Sequence, residues 1–178
     1  MSAPSTPRLV LVGPPGAGKT AVGTVIAQRL GVGLRDTDAD IGTTAGQPVA
    51  DIFVDRGEQH VRMLERDAVR AALAEHHGVL CVGSGAVESA DVRELLRGHR
   101  VVFLDVGIAD AARRSGLDTV RPVHLGNVRA QLKQLLDARR PLYVDVATAT
   151  VRTDGRSVDE VADDILAADQ AEERADAG

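Results

Sequence analysis

The chain has 178 residues, 44% of them hydrophobic and 26% charged, the composition of a globular domain long enough to bury a core. Its formal charge of −5 argues against general nucleic-acid binding, its single cysteine, Cys81, excludes an internal disulfide, and no apolar stretch approaches the length of a transmembrane helix. Aromatic residues make up 2%, with no Trp, so the core must be aliphatic. We expect one domain over residues 1–178, soluble and cytoplasmic, with neither a nucleic-acid nor a membrane partner.

Residues 1–8 are rich in Ser, Pro and Ala and read as a disordered tail; the apolar run after them is too short for a signal peptide. That run, Leu9 to Val12, is a strand that leads into Gly13-Pro-Pro-Gly-Ala-Gly-Lys-Thr20. Gly13, Gly18, Lys19 and Thr20 fit G-x-x-x-x-G-K-[ST], the P-loop spacing. The glycines let the backbone turn tightly, so that N–H groups at Gly13, Gly16, Ala17 and Gly18 point at phosphate oxygens. The helix that follows adds its N-terminal dipole. Lys19 is placed to reach the β- and γ-phosphates of ATP, and the Thr20 hydroxyl to coordinate Mg²⁺. Lys19 is one of two lysines in the chain, so it does not come from a lysine-rich background.

Helix one carries Val22, Ile26 and Leu30 on one face and ends at Gly31. A short strand at 32–35 delivers Asp36-Thr37-Asp38. Weak helical patterns follow at Ala39–Gly46, interrupted by Gly42 and Thr43-Thr44, and at Pro48–Val54, ended by Gly57. Glu58–His76 is the longest helical pattern, with Arg62 and Glu65 as neighbours on its surface. Strand Val79–Val82 holds Cys81, which reads as a buried, inert thiol, and runs into Gly83-Ser84-Gly85. Ser89 is placed to N-cap a helix to about Arg97. Val101–Leu104 is a fully apolar strand ending at Asp105, and a helix covers Asp110–Ser115. Gly116–Asn127 lacks periodicity and reads as a flexible excursion. Helix Val128–Arg140 should stop at Pro141. Ala147–Val151 is the last strand, Ser157 caps the last helix, and residues 171–178 should fray. Short strands without polar alternation, set between helices, predict a three-layer α/β fold with a parallel sheet covered on both faces and ligands at the strands' carboxyl ends.

A P-loop implies nucleotide phosphate without naming the acceptor. Asp36 and Asp38 leave strand two beside it, where carboxylates can bind a metal or take a proton from a hydroxyl; the plainer reading is a solvated turn that caps the next helix. Asp105, at the end of an apolar strand, has the appearance of a Walker B acid. We expect it to lie away from the metal.

The succession of G-P-P-G-A-G-K-T, L-R-D-T-D, I-F-x-x-x-G-E-x-x-x-R-x-x-E, G-S-G-A-V, T-V-R-P and R-R-P-L-Y resembles the shikimate kinases, from about Arg8 to Ile165. The resemblance implies a nucleoside monophosphate kinase-like fold with a five-stranded parallel sheet and a monomeric enzyme. The implied reaction moves the γ-phosphate of ATP to the 3-hydroxyl of shikimate. It further implies Asp36 as a Mg²⁺ ligand through water and Asp38 as base and substrate contact. Arg62 and Arg139 become the grip on the substrate carboxylate, with Glu65 beside them and Gly83, Ser84 and Gly85 lining the substrate. Arg121 becomes an arginine finger in a lid over 116–127. Arg114, rather than Arg113, takes the place near adenine, with a loop at Thr153–Val158 opposite.

Departures from the family pattern fall mostly on the acceptor side and the lid. Val61 stands where Phe is usual, Ser84 interrupts a triple glycine, Gly42 replaces an acid, and the lid reads Arg-Pro-Val-His. Three alternatives therefore stay open: a kinase for a related hydroxylated acid such as gluconate, a nucleotide-binding regulator without transfer activity, and an ATPase that uses Asp105.

Overall fold

The computed structural model describes residues 6–116 and 122–177. Its elements are β1 (Leu9–Val12), α1 (Lys19–Leu30), β2 (Leu34–Asp36), α2 (Thr37–Ala45), α3 (Val49–Arg56), α4 (Glu58–Glu75), β3 (Val79–Cys81), a 3₁₀ turn (Ala86–Glu88), α5 (Ala90–Leu96), β4 (Val101–Asp105), α6 (Ile108–Arg114), α7 (Pro122–Val146), β5 (Ala149–Arg152) and α8 (Val158–Asp176). The five strands form one sheet in the order β2-β3-β1-β4-β5, and all four pairings are parallel. The expected sheet is thus present, with β1 at its centre between β3 and β4.

Successive residues of β1 point to opposite faces of the sheet, and both faces are covered. Leu9 and Leu11 join Ile26, Val79, Cys81, Leu104 and Ile165 in the layer beneath α1 and α8. Val10 and Val12 join Val69, Leu80, Phe103 and Tyr143 in the layer beneath α4, α5 and α7. This arrangement explains the absence of polar alternation in the strands. A third small cluster, Ile41, Ile52 and Val61, packs α2 and α3 onto α4.

Several helix boundaries differ from those expected. α2 runs unbroken through Gly42 and Thr43-Thr44, because the Asp36 carboxylate caps its first turn and Ile41 is buried beneath it. α7 begins at Pro122, inside the stretch expected to be an excursion to residue 127, and passes through Pro141 to Val146. Packing outweighs the proline: one turn beyond Arg139, Tyr143 is buried and stacks on Phe103 with ring centroids 5.0 Å apart. Ser89 occupies the N-cap of α5 but makes no side-chain capping bond. Ser157 does cap α8, in a reciprocal capping box with Glu160.

Both expected tails are more ordered than their composition suggests. The Arg8 backbone N–H donates to the Gly78 carbonyl at 3.0 Å, and its guanidinium pairs with Asp169 and Glu173. Arg100 also pairs with Asp169, and with Glu172 at 3.1 Å. These bonds hold α8 onto the sheet and carry it as far as Asp176. Of the two stretches expected to be tails, 6–8 are held by the Arg8 bonds and 171–176 lie in α8, while 1–5 and 178 lie outside the described residues.

Asp169 is the shared carboxylate of this cluster, with its side chain 10% exposed. Among the described residues, Asp169→Ala would leave the Arg100 guanidinium with only Glu172, at the surface. We expect a loss of about 1–3 kcal/mol, read as a lower urea midpoint at unchanged slope.

Candidate active site

The β1–α1 loop, the end of β2 and the turn after β3 meet at the carboxyl edge of the sheet. That is the crevice expected of an open α/β sheet on either side of its central strand. Gly16 and Gly18 have φ of +79° and +89°, which side chains rarely adopt. A Cβ on Gly16 would also lie 2.7 Å from the Ala111 carbonyl oxygen, so the loop is packed tightly on α6. Lys19 Nζ donates to the carbonyls of Gly13 at 2.7 Å and Pro14 at 3.2 Å, folding its ammonium over the loop. Burial pushes the Lys19 pKa down against the pull of the acids around it.

Asp36 has two jobs. Its Oδ2 accepts from Thr20 Oγ1 at 3.1 Å, and its Oδ1 accepts from the Asp38 and Ala39 backbone N–H groups at the start of α2. Asp36 therefore caps α2, as the plainer reading has it, and also stands against Thr20 of the loop. Thr37, between the two acids, is fully buried, and its Oγ1 accepts from the Gly83 N–H at 2.9 Å. The sequence reading gave Thr37 no part. Its only signal was a small hydroxyl between two acids.

Asp38 lines the cleft of Lys19, Thr20 and Asp36, and it also lines a second cleft with Phe53, Arg62 and Arg139. Its Oδ1 is buried and has no hydrogen-bond partner. Burial raises its pKa above the usual aspartate value; the Asp36 charge adds to this, and Lys19 opposes it. Glycine at position 83 is required by this contact, since a Cβ there would fall 2.2 Å from Asp38 Oδ1.

The second cleft gathers the other expected residues. Arg62 Nη1 donates to Glu65 at 2.7 Å, and the Glu65 side chain is 4% exposed. Burial raises the Glu65 pKa, with Arg62 pulling it back. A Cβ at Gly85 would lie 2.3 Å from Arg62 Nη1, so this glycine lets the backbone pass the guanidinium. Ser84 lines both clefts, and its carbonyl accepts from Tyr143 Oη at 2.7 Å. Arg139 comes from α7 and donates through Nε to Glu88 at 2.8 Å. Val61 is 1% exposed, and Phe53, 44% exposed, supplies an aromatic face to the same cleft. The cleft therefore keeps an aromatic wall despite Val61. Phe53 stands in the I-F-x-x-x-G-E motif but was given no role there, and Glu88 was given none either; that motif was the available signal for Phe53.

Arg114 crosses from α6 to the last loop. It donates to the carbonyl and hydroxyl oxygens of Thr153, at 2.8 and 3.0 Å, and at 3.4 Å to the Gly16 carbonyl. Arg113 instead pairs with Asp110 and is 62% exposed. Arg121, with residues 117–120, lies outside the described residues. Asp105 accepts from Arg140 at 2.9 Å in a recess beside Pro14 that contains neither Thr20 nor Asp36. A separate cavity of ≈ 470 Å³, walled by Ile41, Ile52 and Leu64, contains neither Lys19 nor Asp38. Cys81 is buried, and its thiol is pushed up to about 12 by that burial, as suits an inert thiol.

The arrangement is an anion loop and two hard oxygen donors on one side of Asp38, with two guanidiniums on the other. It can transfer a phosphoryl group to a hydroxyl of a carboxylate-bearing acceptor.

A family model for shikimate kinase matches residues 15–170. The shikimate kinase of Frankia casuarinae is 58% identical over 160 residues, covering 90% of this chain and 71% of its own length. That of Streptomyces coelicolor is 55% identical over 157 residues, covering 88% of this chain and 92% of its own length. Among solved structures, the shikimate kinase of Acinetobacter baumannii in complex with shikimate superposes with a TM-score of 0.82 at 34% identity, covering 92% of each chain.

The two glycine contacts separate the two clefts experimentally. Gly83→Ala should displace Asp38 and lower kcat by about a hundredfold. Gly85→Ala should displace Arg62 and act chiefly on acceptor KM, while half-saturation by nucleotide stays unchanged in both. Steady-state kinetics with each substrate varied in turn reads the difference.

Proposed function

The chain belongs to the shikimate kinase family, and on that footing we propose how its residues divide the work. The protein is an ATP-dependent phosphotransferase that moves the γ-phosphate of ATP to the 3-hydroxyl of shikimate. The observation that carries the residue assignment is the place of Asp38, common to both clefts and with a buried oxygen that lacks a partner. An acceptor hydroxyl donating to that oxygen satisfies it, and its proton passes to Asp38 as the hydroxyl attacks phosphorus.

Lys19 exchanges the loop carbonyls for the β- and γ-phosphates. Backbone N–H groups from Gly13, Gly16, Ala17 and Gly18 surround the phosphates. Arg121, by its motif position, meets the charge that develops on the phosphoryl group in transfer. Arg114 and the Thr153 loop flank the adenine end. Arg62 and Arg139 grip the acceptor carboxylate, since planar forks pair with carboxylates bidentately. Glu65 holds Arg62 in place, and Gly83, Ser84 and Gly85 present backbone to the acceptor.

Thr20 and Asp36 fit Mg²⁺. They are adjacent hard oxygen donors at the phosphate end, and such an ion usually takes its remaining ligands from water and phosphate rather than from an all-protein cage. When bound, the ion neutralises charge on the β- and γ-phosphates. We assign the enzyme to the cytoplasm as a single-domain monomer, in keeping with the family pattern.

The test is ADP release with shikimate and with gluconate as acceptors. Release should depend on shikimate and not on gluconate; none above background with shikimate overturns the acceptor. Asp38→Asn should lower kcat by about 10²–10⁴-fold, whereas Asp105→Asn should leave it nearly unchanged. The reverse order would restore Asp105 as the catalytic acid.

A further inference from the structure

Glu88 ends the 3₁₀ turn after Gly85, and nothing in its sequence position marks it. Its carboxylate joins the two arginines of the acceptor cleft. Oε2 accepts from Arg62 Nη2 at 2.5 Å, and Oε1 accepts from Arg139 Nε at 2.8 Å. The arginines come from different helices, α4 and α7, 26 residues before and 51 residues after it. Both guanidiniums line the acceptor cleft, but Glu88 does not. It lines a recess behind Arg62 with Glu58 and Gln59.

The position meets a definite physical need. The Arg62 and Arg139 side chains are only 18% and 11% exposed, so two like charges are held close together with little water between them. Their repulsion is stronger there than in bulk solvent. Arg62 has further carboxylates in Glu65 and Glu58, but among the described residues Glu88 is the one carboxylate that pairs with Arg139. Burial pushes the Glu88 pKa up, but the bonds and charges of Arg139 and Arg62 outweigh it and hold the carboxyl below its usual value. Glu88 is therefore an anion at neutral pH.

We propose that Glu88 is a positioning residue for the acceptor's carboxylate: from behind the cleft it holds Arg62 and Arg139 side by side, so that their remaining N–H groups face the incoming anion. The proposal rests on the assignment of a carboxylated acceptor to this cleft. A glutamine at 88 can accept from one arginine only, since its amide N–H₂ faces the other as a donor. It also removes the charge that offsets their repulsion.

The experiment compares wild type, Glu88→Gln, Glu88→Ala and Glu88→Asp with two acceptors, shikimate and its neutral carboxamide. Glu88→Gln should raise KM for shikimate about tenfold, with kcat and KM for ATP changed by less than about twofold. Glu88→Ala should lose at least as much, and Glu88→Asp should recover part of the loss. KM for the carboxamide should be the same in wild type and Glu88→Gln, because no acceptor charge remains for the pair to grip. An unchanged or lower KM for shikimate in Glu88→Gln, or an equal rise for both acceptors, overturns the role of Glu88 while wild-type turnover of shikimate keeps the acceptor assignment. A wild-type enzyme inactive with shikimate overturns that assignment and this proposal together.

Discussion

The site depends on one buried hydrogen bond, from the Gly83 N–H to Thr37 Oγ1 at 2.9 Å. β2 and β3 are neighbours in the sheet, and this bond continues their contact past the last paired residues, Asp36 and Cys81. It sets the Gly83 backbone against Asp38 so closely that no side chain fits between them. Asp38 is thereby held where the two clefts meet, and the turn continues to Gly85, where the backbone closely approaches Arg62. A single polar contact in an apolar setting can carry this weight because an unmade hydrogen bond there is costly.

Charge is arranged in the same economical way. Asp36 bonds Thr20 with one oxygen and caps α2 with the other, so the oxygen beside Thr20 is held by the fold rather than by a flexible side chain. Lys19 lies over the loop carbonyls, close enough to feel the charges of Asp36 and Asp38. Across the cleft, acids and arginines alternate: Glu65, Arg62, Glu88, Arg139. Each of these four charges has an opposite neighbour, as burial demands, and Asp38 feels the charge of Lys19, but its Oδ1 has no hydrogen-bond donor. Among the described residues it is the one buried carboxylate oxygen without a hydrogen-bond partner, and the proposed acceptor hydroxyl would supply one.

Much of this was legible from the chain. The P-loop, β1 and β4 are contiguous patterns whose geometry is local, and they lie where their spacing predicts. The parallel sheet followed from strands without polar alternation, which Val10 and Leu11 explain by burying opposite faces. Elements judged on propensity were less secure. Pro141 did not stop α7, because Tyr143 and Val146 gain more from burial in the core than a proline costs the helix. Residues 171–176 did not fray, because α8 is tied to Arg8 and Arg100, which lie far away in sequence. Val61 stands where Phe is usual in the family, yet Phe53 reaches the same cleft from α3.

What the sequence determined by itself was the anion loop, the paired acids after β2 and the order of motifs that marks the family. Each is a short-range relation, written in spacing along the backbone. The tertiary structure alone decided that Asp38 stands between two clefts, that Thr37 and Gly83 hold it there, and that Glu88 joins Arg62 to Arg139. Those relations cross between strands and helices, and no local spacing encodes them. They arise only when the sheet brings the ends of β1, β2 and β3 to one edge and α7 packs across it.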